Sequence, residues 1–285
     1  MRIAVEVWGA DLPTITRTAR LADQLGIDGF YYGESPGPLN LDSWTTLAHL
    51  AGVTEQIRLG PVITNALPAY RSTALLAKQA ATVALISNGR LDYRTGVGAS
   101  RRYASPWWEP FGVEYAHYTD RLEDLRTTLT ELRTLWQGPE GRGRLELDHP
   151  AIPITVAATG ERAIALAHEV ADQWEVSFRT AGELKSLVDS HECHGDPCQL
   201  PISLEIDGFL GSSPGRVDSL LASVATDRST ESFDELRKRA LVGTVPQVVE
   251  TIGGLQAAGA QQLVVALHDP HDIGALETLA EAAVI

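Results

Sequence analysis

Thr159-Gly160-Glu161-Arg162 lies directly after the apolar run Ile152–Ala157 and opens a helical one. That order puts free backbone amides, a hydroxyl and a guanidinium at the positive end of a helix, which suits a phosphate monoester. Gly98, Ala99 and Ser100 follow the preceding strand-like run and would bring backbone in close from the neighbouring side. Two ordinary strand-to-helix turns would read the same way. Glu34, followed by Ser35, closes another strand-like run. It is either a general acid with a raised pKa or a buried carboxylate bonded to backbone. His268 ends the last apolar run and either faces the same mouth or belongs to a turn, His268-Asp269-Pro270.

Other chemistries find less support. Gly96 and Gly98 start a dinucleotide fingerprint, but Arg101 stands at the third glycine position and no acid follows at the right distance, so a Rossmann site is rejected. His191, Cys193, His194 and Cys198 are ligand-type residues with irregular spacing, which reads as a solvated loop rather than a zinc site. No G-x-S-x-G elbow supports a hydrolase. The stretch 99–118 is long for a structural connection and carries Arg101, Arg102, Tyr103, Trp107 and Trp108. Such a lid either stacks its aromatics on a substrate or packs them on its own surface.

Composition narrows the partners. A formal net charge of −14 over 285 residues repels a phosphate backbone, so no nucleic acid is expected. An anionic small molecule would need locally placed amides and arginines. No run of about 18 apolar residues occurs, so no membrane span is expected. Met1–Val7 is too short and too charged for a signal peptide and alternates like a first strand. Two cysteines make no disulfide framework and fit a reducing cytoplasm.

The elements that must position these groups alternate along the chain. Strand-like runs at Ile3–Val7, Gly29–Gly33, Ile57–Thr64, Leu91–Val97, Ile152–Ala157, Asp172–Phe178, Ile202–Leu210 and Gln262–Leu267 are separated by amphipathic helical runs. Asp11, Asp42, Ser72 and Thr244 stand where helices start, and Gly26, Gly138 and Gly259 where they stop. Leu122, Leu125, Leu129, Leu132 and Leu135 mark one strongly periodic helix. Eight strands with crossover helices predict a single domain over 1–285, a (β/α)8 TIM-type barrel with its active site at the carboxyl ends of the strands. The stretch 180–240 reads as an insertion region holding a helix, a strand and further helix. Pro61 interrupts the third strand by removing a ladder donor.

Several ordered blocks carry a resemblance. They are Ala19–Phe30, Asp42–Ala48, Thr54–Gly60, Ala74–Thr82, Asn88–Leu91 and Gly96–Ala99, then Gly243–Val249 and Ala258-Gly259. Over roughly 1–180 and 243–268 the chain resembles the bacterial-luciferase-like family of flavin- and F420-dependent oxidoreductases and monooxygenases. The resemblance implies a metal-free barrel with a flavin-type ring across the strand ends. It also implies a non-proline cis peptide behind the ring, which by position is Val62–Ile63, with Thr64 and Asn65 reaching the ring's polar edge. It strengthens the phosphate reading of Thr159–Arg162.

Relatives show an acid followed by histidine where this chain has Glu34 and Ser35, and some place an acid where it has Arg101. Arg101 speaks against the sugar-phosphate dehydrogenase chemistry of those relatives, and the small-residue turn Gly96–Ser100 makes the resemblance imply an F420-dependent enzyme exchanging hydride with a small organic substrate. An FMN-dependent monooxygenase acting on an aldehyde, ketone or aromatic substrate is the alternative, and it would call on a separate flavin reductase. A non-catalytic barrel serving as a binding or pairing subunit is a third reading. Relatives are often dimers, so a homodimer is expected.

Overall fold

The computed structural model describes all residues except 38–39, 138–144, 146–147, 191–199, 226–232, 268, 270–271 and 285. The first half runs β1 (Arg2–Val7), α1 (Leu12–Gln24), β2 (Gly29–Gly33), α2 (Ser43–Val53), β3 (Arg58–Val62), α3 (Thr73–Ile86), β4 (Tyr93–Gly96), α4 (Arg101–Trp108) and α5 (Tyr118–Gln137). The second continues with β5 (Ile154–Ala157), α6 (Glu161–Val170), β6 (Gln173–Ser177), α7 (Ala181–Ser190), β7 (Ile202–Leu210), α8 (Pro214–Ala225), α9 (Phe233–Arg239), β8 (Leu241–Gly243), α10 (Val245–Ala257), β9 (Gln262–Leu267) and α11 (Ile273–Val284).

All strand pairs are parallel, in the order β3-β2-β1-β9-β7-β6-β5-β4, with β8 appended to the end of β7. Between β3 and β4 only two isolated bridges, Leu59 with Leu91 and Thr64 with Thr95, close the ring. Pro61 accounts for that seam. Leu59 donates its amide toward β4, to the carbonyl of Arg90. By the two-residue period the nitrogen of Pro61 faces the same neighbour with no hydrogen to give. The result is the eight-strand (β/α)8 barrel that the alternation predicts.

The strands alternate as a barrel requires. Ile3, Val5 and Val7 of β1, and Phe30 and Tyr32 of β2, join the core shared with the helices. Ala4, Tyr31, Val62 and Val264 form a separate cluster inside the barrel. The interior is otherwise polar: Arg94 is ion-paired with Glu175, and its guanidinium lies 4.1 Å from the Tyr31 ring centre. Helix starts follow the expected caps, with the Asp42 side chain accepting from the Thr45 amide at 2.8 Å and Ser72 from the Leu75 amide at 3.3 Å.

Two expectations need correction. The stretch 99–118 is not a plain loop, since α4 and a single 3-10 turn at Glu109–Phe111 occupy much of it. The third strand ends at Val62, two residues short of the expected limit, because the chain turns out of the sheet there. Gly138 lies outside the described residues. Among the described residues no helix is long and apolar enough to cross a membrane.

Candidate functional site

At the carboxyl end of β3 the Val62–Ile63 peptide is cis, at the position expected. The segment it opens is held on several sides. The Glu34 amide donates to the Val62 carbonyl at 3.0 Å, and the Thr64 amide to the Arg94 carbonyl at 2.8 Å. The Thr95 hydroxyl donates to the Thr64 carbonyl at 2.9 Å. Ile63 packs where Gly96 leaves space, its Cδ1 2.8 Å from the place a β-carbon would take. Thr64 is fully buried and its hydroxyl oxygen has no hydrogen-bond partner among the described residues, while Asn65 is half-buried.

Glu34 follows the end of β2 and is buried. One carboxylate oxygen lies 2.8 Å from the guanidinium of Arg71, itself buried, and the other accepts the Asn65 amide at 3.3 Å. Burial pushes its carboxyl above the ordinary range, against the pull of Arg71. These bonds tie β2, the turn after the cis peptide and the start of α3 together. Arg71 was not singled out from the sequence. Its only sequence signal is a basic residue next to the helix cap Ser72.

A second set of groups converges nearby. Gly96 of β4 pairs with Ala157 of β5, so the turns leaving these strands begin side by side. One leads through Gly98, Ala99 and Ser100 into α4, the other through Thr159 and Gly160 into α6. Neither cap residue, Ser100 nor Gly160, makes a side-chain cap bond, so the first-turn amides of both helices lack that partner. Gly98 has φ +80, and a β-carbon there would lie 2.4 Å from the Tyr115 hydroxyl. At Gly160 the space is open, with nothing closer than the Tyr118 hydroxyl at 3.9 Å. Thr159, Glu161 and Arg162 are exposed, and the Arg162 guanidinium lies 6.0 Å from the Tyr118 ring centre.

The arrangement fits a planar ring with a phosphate tail. An unpartnered buried hydroxyl and a half-buried amide side chain lie at one end, and two adjacent helix N-termini with an arginine lie at the other. A small crevice beside the ring-side segment is lined by Asn65, Ala66, Gly96, Gly98, Tyr115 and Arg121.

The lid divides its aromatics. Trp108 is buried, in edge contact with Tyr70 at 4.9 Å between centres and stacked on Tyr115 at 6.4 Å. Tyr103 and Trp107 remain exposed, in edge contact with each other at 4.8 Å. Arg101 meets the His117 ring at 3.1 Å. Arg102 is exposed.

Deeper in the mouth, Glu6 of β1 is buried and accepts from the Trp8 indole, while its second oxygen has no partner among the described residues. The Trp8 ring fills the space that Gly33 leaves empty. Glu205 of β7 accepts from Ser177 at 2.8 Å. Neither acid was a sequence candidate, because glutamate in a strand next to a hydrophobic residue gives no sign of which face it takes. His268, His191, Cys193, His194 and Cys198 lie outside the described residues. Among the described residues no group of three or more His, Cys, Asp or Glu side chains is placed to hold a metal ion.

Solved structures similar to this chain have the same barrel. An F420-dependent secondary alcohol dehydrogenase in complex with an F420-acetone adduct matches with a TM-score of 0.80, at 13% identity over 99% of this chain and 97% of that one. The oxygenating constituent of 3,6-diketocamphane monooxygenase from Pseudomonas putida, in complex with FMN, matches with a TM-score of 0.73, at 17% identity over 95% of this chain and 90% of that one. Proteins of this fold thus bind F420 or FMN. In sequence, a phthiodiolone/phenolphthiodiolone dimycocerosates ketoreductase of Mycobacterium tuberculosis is 28% identical over 235 residues, covering 74% of this chain. The match spans only 58% of that relative's length. The family model of luciferase-like monooxygenases matches residues 4–192, more than half of the chain. The chain therefore belongs to the luciferase-like monooxygenase family of oxidoreductases.

Proposed function

We propose that this protein binds F420 along the rim between Val62–Asn65 and Thr159–Arg162 and exchanges hydride between it and a small organic substrate. The observation that carries the reading is the pairing of two uncapped helix N-termini, α4 and α6, beside the cis-peptide segment on one strand-end rim. Val62, Ile63, Thr64 and Asn65 would back the ring and meet its polar edge. Gly98, Ala99, Ser100, Thr159, Gly160, Glu161 and Arg162 would surround the phosphate. When bound, the deazaflavin supplies the hydride donor or acceptor. The protein's residues orient it, exclude water and hold the proton-handling groups. Glu34, fixed by Arg71, serves in this reading to hold the ring-side segment. His268 remains a proposed catalytic group at the end of β9.

The ketoreductase relative and the F420-bound dehydrogenase support hydride transfer. The FMN-bound neighbour and the family's description support a second reading, an FMN-dependent monooxygenase drawing reduced flavin from a separate reductase. Fluorescence titration with F420, FMN and reduced FMN separates them. F420 binding alone is expected. Binding of FMN alone favours the second reading, and binding of none leaves a barrel that serves as a binding or pairing subunit. Arg162→Ala and Gly160→Asp are each expected to weaken cofactor affinity, the second by setting a carboxylate where the phosphate would lie. Unchanged affinity in both would remove the phosphate assignment.

A further inference from the structure

The two ends of the candidate cofactor site are joined by an unbroken path of side-chain contacts. On the ring side, Glu34 holds the Asn65 amide and is held by Arg71 at 2.8 Å. The Arg71 guanidinium lies 5.0 Å from the Tyr70 ring centre, and Tyr70 meets Trp108 of α4 edge-on at 4.9 Å. Trp108 stacks on Tyr115, whose hydroxyl donates to the Ala99 carbonyl at 3.0 Å. The Arg121 guanidinium also lies against Tyr115, 4.2 Å from its ring centre. It donates to the carbonyls of Val97 at 2.9 Å and Ala99 at 3.0 Å, on either side of Gly98. Leu67, Ala104, Trp108 and Tyr115 form a buried cluster of their own, apart from the main core.

We propose that Arg71 and Trp108 are positioning residues that set the distance between the ring-side segment 62–65 and the phosphate-side turn 98–100. The proposal rests on the reading that a ring-and-phosphate cofactor lies along this rim. A cofactor of that kind has a flexible linker between its ends. Anchoring the phosphate therefore fixes the ring only if the protein holds both ends at one separation. The direct route between the ends is the weakest seam of the barrel, where β3 and β4 share only isolated bridges. The path through Tyr70 and Trp108 gives a second route between the two sides of that seam. Bulky aromatic and guanidinium groups in mutual contact transmit position well, because packed side chains have few alternative arrangements.

The test compares a cofactor with the same ring lacking its phosphate tail: FMN with riboflavin, or F420 with the corresponding tail-less deazaflavin. The ratio of the two dissociation constants reports what the tail adds. Trp108→Leu is expected to cut that ratio about fivefold or more, although Trp108 lies on neither end. Trp108→Phe, which keeps an aromatic ring in the path, is expected to restore most of it. The double variant Glu34→Gln/Arg71→Met removes the buried pair without stranding a charge and should cut the ratio similarly. A folded Trp108→Leu protein that weakens both ligands equally, or neither, overturns the proposal. Wild-type protein that takes up no ring at all overturns the proposed function itself, a result distinguishable from failure of the path.

Discussion

Glu6 sits in the barrel mouth with one oxygen on the Trp8 indole and the other without a partner among the described residues. Burial, then the neighbouring Glu205, push its carboxyl well above the ordinary carboxylate value of 4.5, and the Trp8 bond and Arg94 only partly oppose them. The folded protein therefore keeps a proton there that the unfolded chain gives up. Between the two pKa values unfolding releases a proton, so Glu6 makes the fold less stable as pH rises through that window. Glu6→Gln keeps the shape and cannot ionise. Its melting temperature relative to wild type is expected to be higher at about pH 8 than at about pH 4.5, and a difference that does not change with pH would contradict the assignment. Little of this was legible beforehand. The sequence places Glu34 at a strand end but says nothing of Arg71, because an ion pair across two βα units depends on the closed ring rather than on spacing. Buried arginines such as Arg94 and Arg121 look like any surface arginine in a one-dimensional pattern.

Elements were legible where one face is apolar and long. β9 falls within the expected limits because Gln262–Leu267 is an almost wholly buried run, and α6 opens where expected because Glu161–Val170 has helical periodicity after a glycine turn. β8 escaped because three residues cannot show a period, and it exists only by pairing with the end of β7. In α4 the internal Pro106 masks the single useful signal, Ala104 and Trp108 one helical turn apart. The turn that launches α4 depends on Gly98. Its φ of +80 is the left-handed region, and the Tyr115 hydroxyl occupies the β-carbon position. Gly98→Ala is expected to cost roughly 1–3 kcal/mol in urea denaturation. Adding Tyr115→Phe removes the overlapping oxygen and should return only part of that loss, since the backbone conformation stays unfavourable. Full recovery would mean that crowding alone set the glycine.

At the scale of the whole molecule, the barrel was predictable from eight alternating units, but its polar filling was not. Arg94 of β4 reaches across to Glu175 of β6, with Tyr31 of β2 against its guanidinium and Ser203 of β7 donating to Glu175 at 3.0 Å. Four strands thus meet at one buried ion pair inside a ring whose β3–β4 seam is only bridged. Glu6, Glu205 and Asp207 share the same interior, so Arg94 also offsets charge beyond its direct partner. Arg94→Met fits the space but strands Glu175 without a cation. A loss of about 3–5 kcal/mol is expected, the cost of an uncompensated buried charge rather than of one contact. A stranded carboxylate escapes that cost by taking up a proton, so the loss should shrink between about pH 8 and about pH 5.5. Arg94→Met/Glu175→Gln removes both charges and should recover most of the stability at either pH. Urea denaturation of the three proteins at both pH values checks this. If the double variant is as unstable as the single one, Arg94 acts mainly through its packing on Tyr31 and the remaining acids, and the Glu175 pair is secondary.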